Sequence, residues 1–86
     1  MRLEDAVRER ALSVWALLTA RQRETVRLKA LGFPNAEIGE ALGVSPKSID
    51  NRIEAVRKKA GVSGLVGLTH LAIAAGQIDV DPWEVG

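Results

Sequence analysis

Apolar residues recur at steps of three and four along most of the chain, a spacing typical of helices that bury one face. Runs of β-branched residues are absent, whereas alanine, leucine, glutamate, arginine and lysine, all good helix formers, are abundant. The pattern predicts an all-α fold, a compact bundle of about five helices. These helices span about residues 3–17, 19–31, 36–42, 46–60 and 64–75. The tail at residues 77–86 has no pattern that assigns a structure.

Capping residues mark where three of the helices begin. Thr19 followed by Gln22 fits a capping box, in which each side chain hydrogen-bonds to the other residue's backbone amide. Asn35 is predicted to cap the third helix with its side-chain carbonyl. Ser45 followed by Pro46 is the strongest of these signals, because a proline in the first helical position sacrifices no hydrogen bond.

The first helix is predicted to bury a single face. Its apolar residues Leu3, Val7, Ala11 and Val14 follow one another at steps of four, four and three, with Trp15 beside them. This helix is therefore expected to bury the face that carries these residues.

The third and fourth helices, joined by Gly43-Val44-Ser45, have the lengths and the short turn of a helix-turn-helix. If Ile49 and Ile53 point inward, the opposite side chains of helix 46–60 point outward, and in such a unit they enter the major groove of DNA. Asn side chains pair with adenine, carboxylates accept from cytosine, and Lys, Arg or Ser meet guanine or phosphate. The predicted DNA-binding residues are Lys47, Ser48, Asp50, Asn51, Arg52, Glu54, Arg57 and Lys58.

A mixed-charge outer face is also what a solvated helix shows, so an alternative stays open. Asp50 and Glu54 would repel a phosphate backbone unless base edges or nearby cations compensate. The alternative is a protein-interaction module that kept the helix-turn-helix and lost its basic face, for example one that binds RNA polymerase.

Composition bounds these interpretations. A chain of 86 residues has room for one domain. Its net charge is only +1, but the predicted helix 46–60 contains five basic and two acidic residues, which is compatible with a polyanionic partner. No cysteine is present, and no nucleophile is paired with a base, so we expect no metal, no cofactor and no enzymatic activity. Without a signal peptide or an apolar run of membrane-spanning length, a cytoplasmic protein without membrane contact is expected.

Three runs resemble one known family. Residues 18–24 (LTARQRE), 32–38 (GFPNAEI) and 42–45 (LGVS), followed by Ser48-Ile49, look like the LuxR/GerE-type helix-turn-helix DNA-binding domain, with every landmark at the family's spacing. The resemblance covers residues 18–76, preceded by an additional N-terminal helix at 1–17 and followed by the tail at 77–86. It implies a sequence-specific, DNA-binding transcription regulator that binds double-stranded DNA.

The resemblance also implies roles for single residues. Asp50, Asn51 and Glu54 occupy positions whose side chains contact bases in the family. Ser48 occupies a position that contacts phosphate, and Lys58 occupies a position near the DNA backbone. Family members usually have Lys or Arg in place of Asp50, and often Lys in place of Glu54. These differences concern the affinity and the target sequence more than the fold.

Two further partners follow from resemblance. Residues 47–51 (KSIDN) with 56–59 (VRKK) are also similar to region 4 of bacterial sigma factors, which makes RNA polymerase a candidate partner. The last helix carries an apolar stripe that either closes the monomer core or pairs with its own copy. The LuxR resemblance favours a homodimer, with dimerisation residues Leu65, Leu68, Leu71 and Ala72.

Overall fold

The chain folds into helices joined by short turns. In this computed structural model the described residues are 2–62 and 64–78, and their regular structure is entirely α-helical. The helices are α1 (Leu3–Ala16), α2 (Ala20–Ala30), α3 (Asn35–Leu42), α4 (Pro46–Ala60) and α5 (Gly64–Ala74). The all-α prediction is confirmed, and each helix lies within one residue of its expected ends. Residues 79–86, most of the unassigned tail, lie outside the described residues.

Two of the predicted helix starts are present as expected. The Thr19 hydroxyl accepts from the Gln22 amide at 3.1 Å, and the Thr19 amide donates to Gln22 Oε1 at 2.9 Å, which completes the capping box of α2. At α4 the Ser45 hydroxyl accepts from the Ser48 amide at 3.1 Å, and Pro46 occupies the first turn. The entry into α4 is therefore fixed by local hydrogen bonding.

The predicted Asn35 cap is wrong. Pro34, in an extended conformation, precedes α3, and its carbonyl accepts from the amides of Glu37 and Ile38, both at 3.0 Å. Asn35 is already the first helical residue, so its side chain lies one position too late to cap the helix. Its Oδ1 atom is buried and has no hydrogen-bond partner among the described residues.

Helix α4 buries its predicted apolar face in the centre of the molecule. Ile49 and Val56 are 0% exposed and Ile53 is 6% exposed. They pack in one cluster with Val26 of α2 and Ile38 of α3. Full burial of one such side chain contributes about 1.5–3 kcal/mol, so this stripe determines which side of α4 faces the core.

The prediction for α1 holds for its second half only. Ala11 and Trp15 are buried, but Leu3 is 78% and Val7 is 51% exposed. Both exposed residues lie beside the end of α5, where Ala74 is its last helical residue. The expected buried face is wrong for the first two turns of α1, because Leu3 and Val7 meet only the last residues of α5 and most of their surface stays exposed.

Polar contacts tie the carboxyl end of α1 to α2 and α4. Arg23 Nε donates to the Trp15 carbonyl at 3.1 Å, and its Nη2 donates to the Ala16 carbonyl at 3.2 Å. Lys59 Nζ reaches the Leu17 carbonyl at 3.5 Å. The last carbonyls of a helix have no partners inside it and carry partial negative charge, so two cations satisfy and stabilise this end. No local sequence pattern predicted these contacts.

Helix α5 closes the monomer. Leu68, Leu71 and Ala72 are 1%, 6% and 0% exposed, because α1 and α2 pack over them. The burial of these three side chains favours the core interpretation that the sequence left open. The side chain of the fourth, Leu65, lies outside the described residues. Among the described helices, α5 included, none has both the length and the apolar character needed to cross a membrane.

Candidate nucleic-acid interface

The outward face of α4 is the candidate interface. With the stripe of Ile49 and Val56 buried, helical geometry turns the opposite side chains away from the core. Five of the eight predicted residues are exposed: Lys47, Asp50, Asn51, Glu54 and Lys58. Ser48, Arg52 and Arg57 are partly buried. The structure therefore brings the first five onto one accessible surface and places the other three at its flanks.

The first turn of α4 presents hydroxyl and amide donors. Ser45 Oγ donates to Ser48 Oγ at 3.1 Å, which leaves the hydroxyl proton of Ser48 free to donate elsewhere. Pro46 has no N–H and the Ser48 amide is bonded to the Ser45 hydroxyl, so the first turn also offers the Lys47 amide, at the positive end of the helix dipole. A phosphate oxygen is the ligand that such donors suit.

Both acidic residues on the outward face have a basic neighbour one turn away on α4. Lys47 Nζ lies 3.8 Å from Asp50 Oδ2, and the side chains are 79% and 59% exposed. Arg57 Nη2 is hydrogen-bonded to Glu54 Oε2. Exposed pairs of this kind add at most about 1 kcal/mol to stability, so their main effect here is to balance the negative charge of the face.

Arg52 lies at the flank of the interface that faces the turn. It lines a pocket of about 320 Å³ together with Arg21 and Glu24 of α2 and the turn residues 42–44. This position is beside the outward line of α4 rather than on it. Arg52 therefore lies near Arg21, a residue that sequence reasoning had not singled out.

Lys59 belongs to the fold rather than to the interface. Its Nζ donates to Gln22 Oε1 at 3.1 Å, in addition to its contact with the end of α1. The basic residues between positions 46 and 60 therefore have two different roles. Lys47 and Lys58 remain on the outward face, whereas Lys59 holds α4 against the start of α2.

Gly39 sets how closely the turn packs on α3, and sequence reasoning missed it. A Cβ atom at this position would lie 2.5 Å from the carbonyl oxygen of Val44, a backbone atom that cannot move aside alone. The Gly39 carbonyl also accepts from the Val44 amide at 2.8 Å. A glycine inside a helix costs about 0.5–1 kcal/mol relative to alanine, so its presence in so short a helix was the available signal.

Comparison with known proteins identifies the family. A family model for bacterial regulatory proteins of the luxR family matches residues 16–72, more than half of the chain. The chain belongs to the luxR family. The match contains α2, α3, α4 and most of α5, whereas α1 lies almost entirely before it. The resemblance found in the sequence is therefore confirmed.

Three curated relatives extend the luxR comparison. They are described as candidate HTH-type transcriptional regulators, one from Mycobacterium bovis and two from strains of Mycobacterium tuberculosis, and each is 33% identical to this chain over 69 residues. The aligned region covers 80% of this chain and 8% of each relative, so the chain spans a small part of their length. No solved structure matches the chain significantly.

Proposed function

We propose that α4 binds in the major groove of a specific duplex DNA site and that this binding regulates transcription. The observation that carries the proposal is the burial of Ile49 and Val56 at 0% exposure, which leaves Lys47, Asn51 and Lys58 accessible on the opposite side. The helix-turn-helix assigned to this luxR-family chain supplies the docking geometry, in which the second helix lies along the groove.

The side chains divide into those that position the helix and those that read bases. Ser48, at the start of α4, and Lys58, toward its end, are proposed to contact phosphates, which fix register without carrying sequence information. Asn51, exposed between them, is proposed to read a base edge, since a carboxamide pairs bidentately with adenine N6 and N7.

Binding to random duplex DNA across a salt series tests this function. For a protein that neutralises phosphates, the logarithm of the binding constant falls linearly with the logarithm of the salt concentration, with a slope of about −0.9 for each phosphate contacted. The double variant Lys47→Glu, Lys58→Glu should lose binding at low salt. The matched double variant Arg8→Glu, Arg10→Glu, which makes the same charge change on α1, should retain most of it. Equal losses in both variants would contradict an interface on α4.

The two exposed acidic residues favour a second candidate function, a module that binds RNA polymerase. Asp50 and Glu54 would then face a basic protein surface instead of DNA. In that case the chain would bind no random duplex even at low salt and would bind purified bacterial RNA polymerase. The same salt series therefore separates the two functions.

A homodimer on two half-sites also stays a proposal. Because Leu68, Leu71 and Ala72 are buried within one chain, a second copy would have to pair through another surface. Sedimentation of the protein with and without a bound duplex measures this directly. A bacterial regulator that acts on chromosomal DNA works in the cytoplasm, so that location is part of the same proposal.

A further inference from the structure

The outward face of α4 carries two acid–base couples, with the cation before the carboxylate in the first and after it in the second. Asp50 lies beside Lys47, with 3.8 Å between carboxylate oxygen and ammonium nitrogen, and Glu54 is hydrogen-bonded to Arg57. In each couple the partners are three residues apart, so a hydrogen-bond acceptor and a donor stand side by side on the helix surface. Nonspecific binding to phosphates does not require hydrogen-bond acceptors on the protein. The two carboxylates therefore indicate a partner that offers a hydrogen-bond donor.

The chemistry of base edges selects that partner. An ionised carboxylate only accepts hydrogen bonds, and in the major groove only the amino groups of cytosine and adenine donate. Adenine presents its N7 acceptor beside the amino group, and guanine and thymine present acceptors alone, all of which repel a carboxylate. Cytosine, with its N4 amino group, is therefore the base that an Asp or Glu selects.

The basic member of each couple fits the other half of the same base pair. Guanine, paired to that cytosine, presents O6 and N7 as acceptors next to the cytosine amino group. A carboxylate and a cation held together thus complement the edge of one C·G pair. The cation also offsets the repulsion between the carboxylate and the phosphates, which was the objection to acidic residues at these positions.

The spacing along α4 sets the distance between the two base pairs. Asp50 and Glu54 are four residues apart, a rise of about 6 Å along a helix. Successive base pairs are about 3.4 Å apart, so a helix lying along the groove would place the carboxylates about two base steps from each other.

We propose that Asp50 and Glu54 are specificity-determining residues that select two C·G base pairs about two steps apart. This inference rests on the proposed function, because it names the bases that the α4 surface reads. Lys47 and Arg57 position the carboxylates and contact the paired guanines.

Selection of bound duplexes from a randomised pool tests the proposal. The full chain should enrich two C·G pairs at that spacing. Asp50→Asn should relax the preference at one of them and Glu54→Gln at the other, each by roughly 5- to 150-fold. Asp5→Asn, the same change on an exposed residue of α1, should leave both preferences intact.

A cytosine analogue without the exocyclic amino group gives a second readout. Replacing one selected cytosine with this analogue should weaken binding by the parent protein and leave the matching Asp50→Ala or Glu54→Ala variant unaffected, since alanine accepts no hydrogen bond from the amino group. Unchanged thermal unfolding of the variants shows that they fold.

The possible outcomes separate this inference from the proposed function. Selected sites without the two C·G pairs, or carboxamide variants that keep the parent preference, would overturn the inference and leave DNA binding by α4 standing. No binding to any duplex at low salt would overturn both.

Discussion

Helices α1 and α4 have almost the same length, 14 and 15 residues, but different interactions hold them in place. Helix α4 is held along its length by a buried stripe and leaves its opposite face accessible. Helix α1 is held mainly near its carboxyl end, by buried Ala11 and Trp15 and by Arg23, while Leu3 stays exposed. A helix whose buried residues run along its length has its opposite face held in one orientation toward a ligand. A helix whose buried residues lie near one end leaves its other end uncovered.

The largest expected effect contrasts one apolar residue from each helix. Ile49→Ala removes a side chain that is 0% exposed and should lower the free energy of unfolding by about 2–5 kcal/mol. Leu3→Ala removes one that is 78% exposed and should change it by less than about 0.5 kcal/mol. Chemical denaturation followed by circular dichroism measures both. Equal destabilisation would show that α1 is packed as fully as α4.

Gly39→Ala tests whether the close approach of the turn to α3 holds α4 in position. The added Cβ would meet the Val44 carbonyl at 2.5 Å, so we expect destabilisation of about 1–3 kcal/mol. Without that contact the same change would stabilise α3 by up to about 1 kcal/mol, because alanine favours helices. The sign of the change in unfolding free energy is therefore diagnostic, and a more stable variant would refute the close approach.

Two substitutions on the outward face of α4 separate base reading from phosphate contact. Asn51→Ala should weaken binding to a selected duplex by about 1–3 kcal/mol and leave binding to random duplex nearly unchanged. Lys58→Ala should weaken both by the same factor and reduce the salt slope by about 0.9. Fluorescence anisotropy with the two duplexes measures these effects. If both variants lost affinity equally on both DNAs, the division of roles would be wrong.

The smallest expected effect concerns the end of α1. Arg23→Ala removes hydrogen bonds to the Trp15 and Ala16 carbonyls and should cost about 1 kcal/mol, since the site is partly exposed. Amide hydrogen exchange should accelerate in α1 and stay unchanged in α4. Arg21→Ala, which removes an exposed arginine from the same helix, is the control. Faster exchange in α4 as well would mean that the two helices are not held independently.

Local signals made most of α4 predictable. Its start follows from Ser45 and Pro46, and its buried face follows from the step between Ile49 and Ile53. The outward residues could be named because they lie opposite that face. The position of Arg52 could not, because its direction at the flank depends on where α2 and the turn lie.

The wrong prediction for α1 and the open alternative for α5 have a common cause. Periodicity shows which face of a helix is apolar but not how far its neighbour extends, so the exposure of Leu3 and Val7 was not predictable. The same limit left open whether Leu68 faces the core or a second copy. The contact of Lys59 with Leu17 joins residues 42 positions apart, and no pattern within a short window indicates such a pair.

The most direct test of an interface on α4 is nuclear magnetic resonance of the ¹⁵N-labelled protein during titration with duplex DNA at low salt. We expect the backbone amide signals of residues 47–58 to shift as DNA is added, while those of residues 3–14 in α1 stay in place. Shifts confined to α1 and α5, with α4 unchanged, would contradict the assignment of the DNA interface to α4.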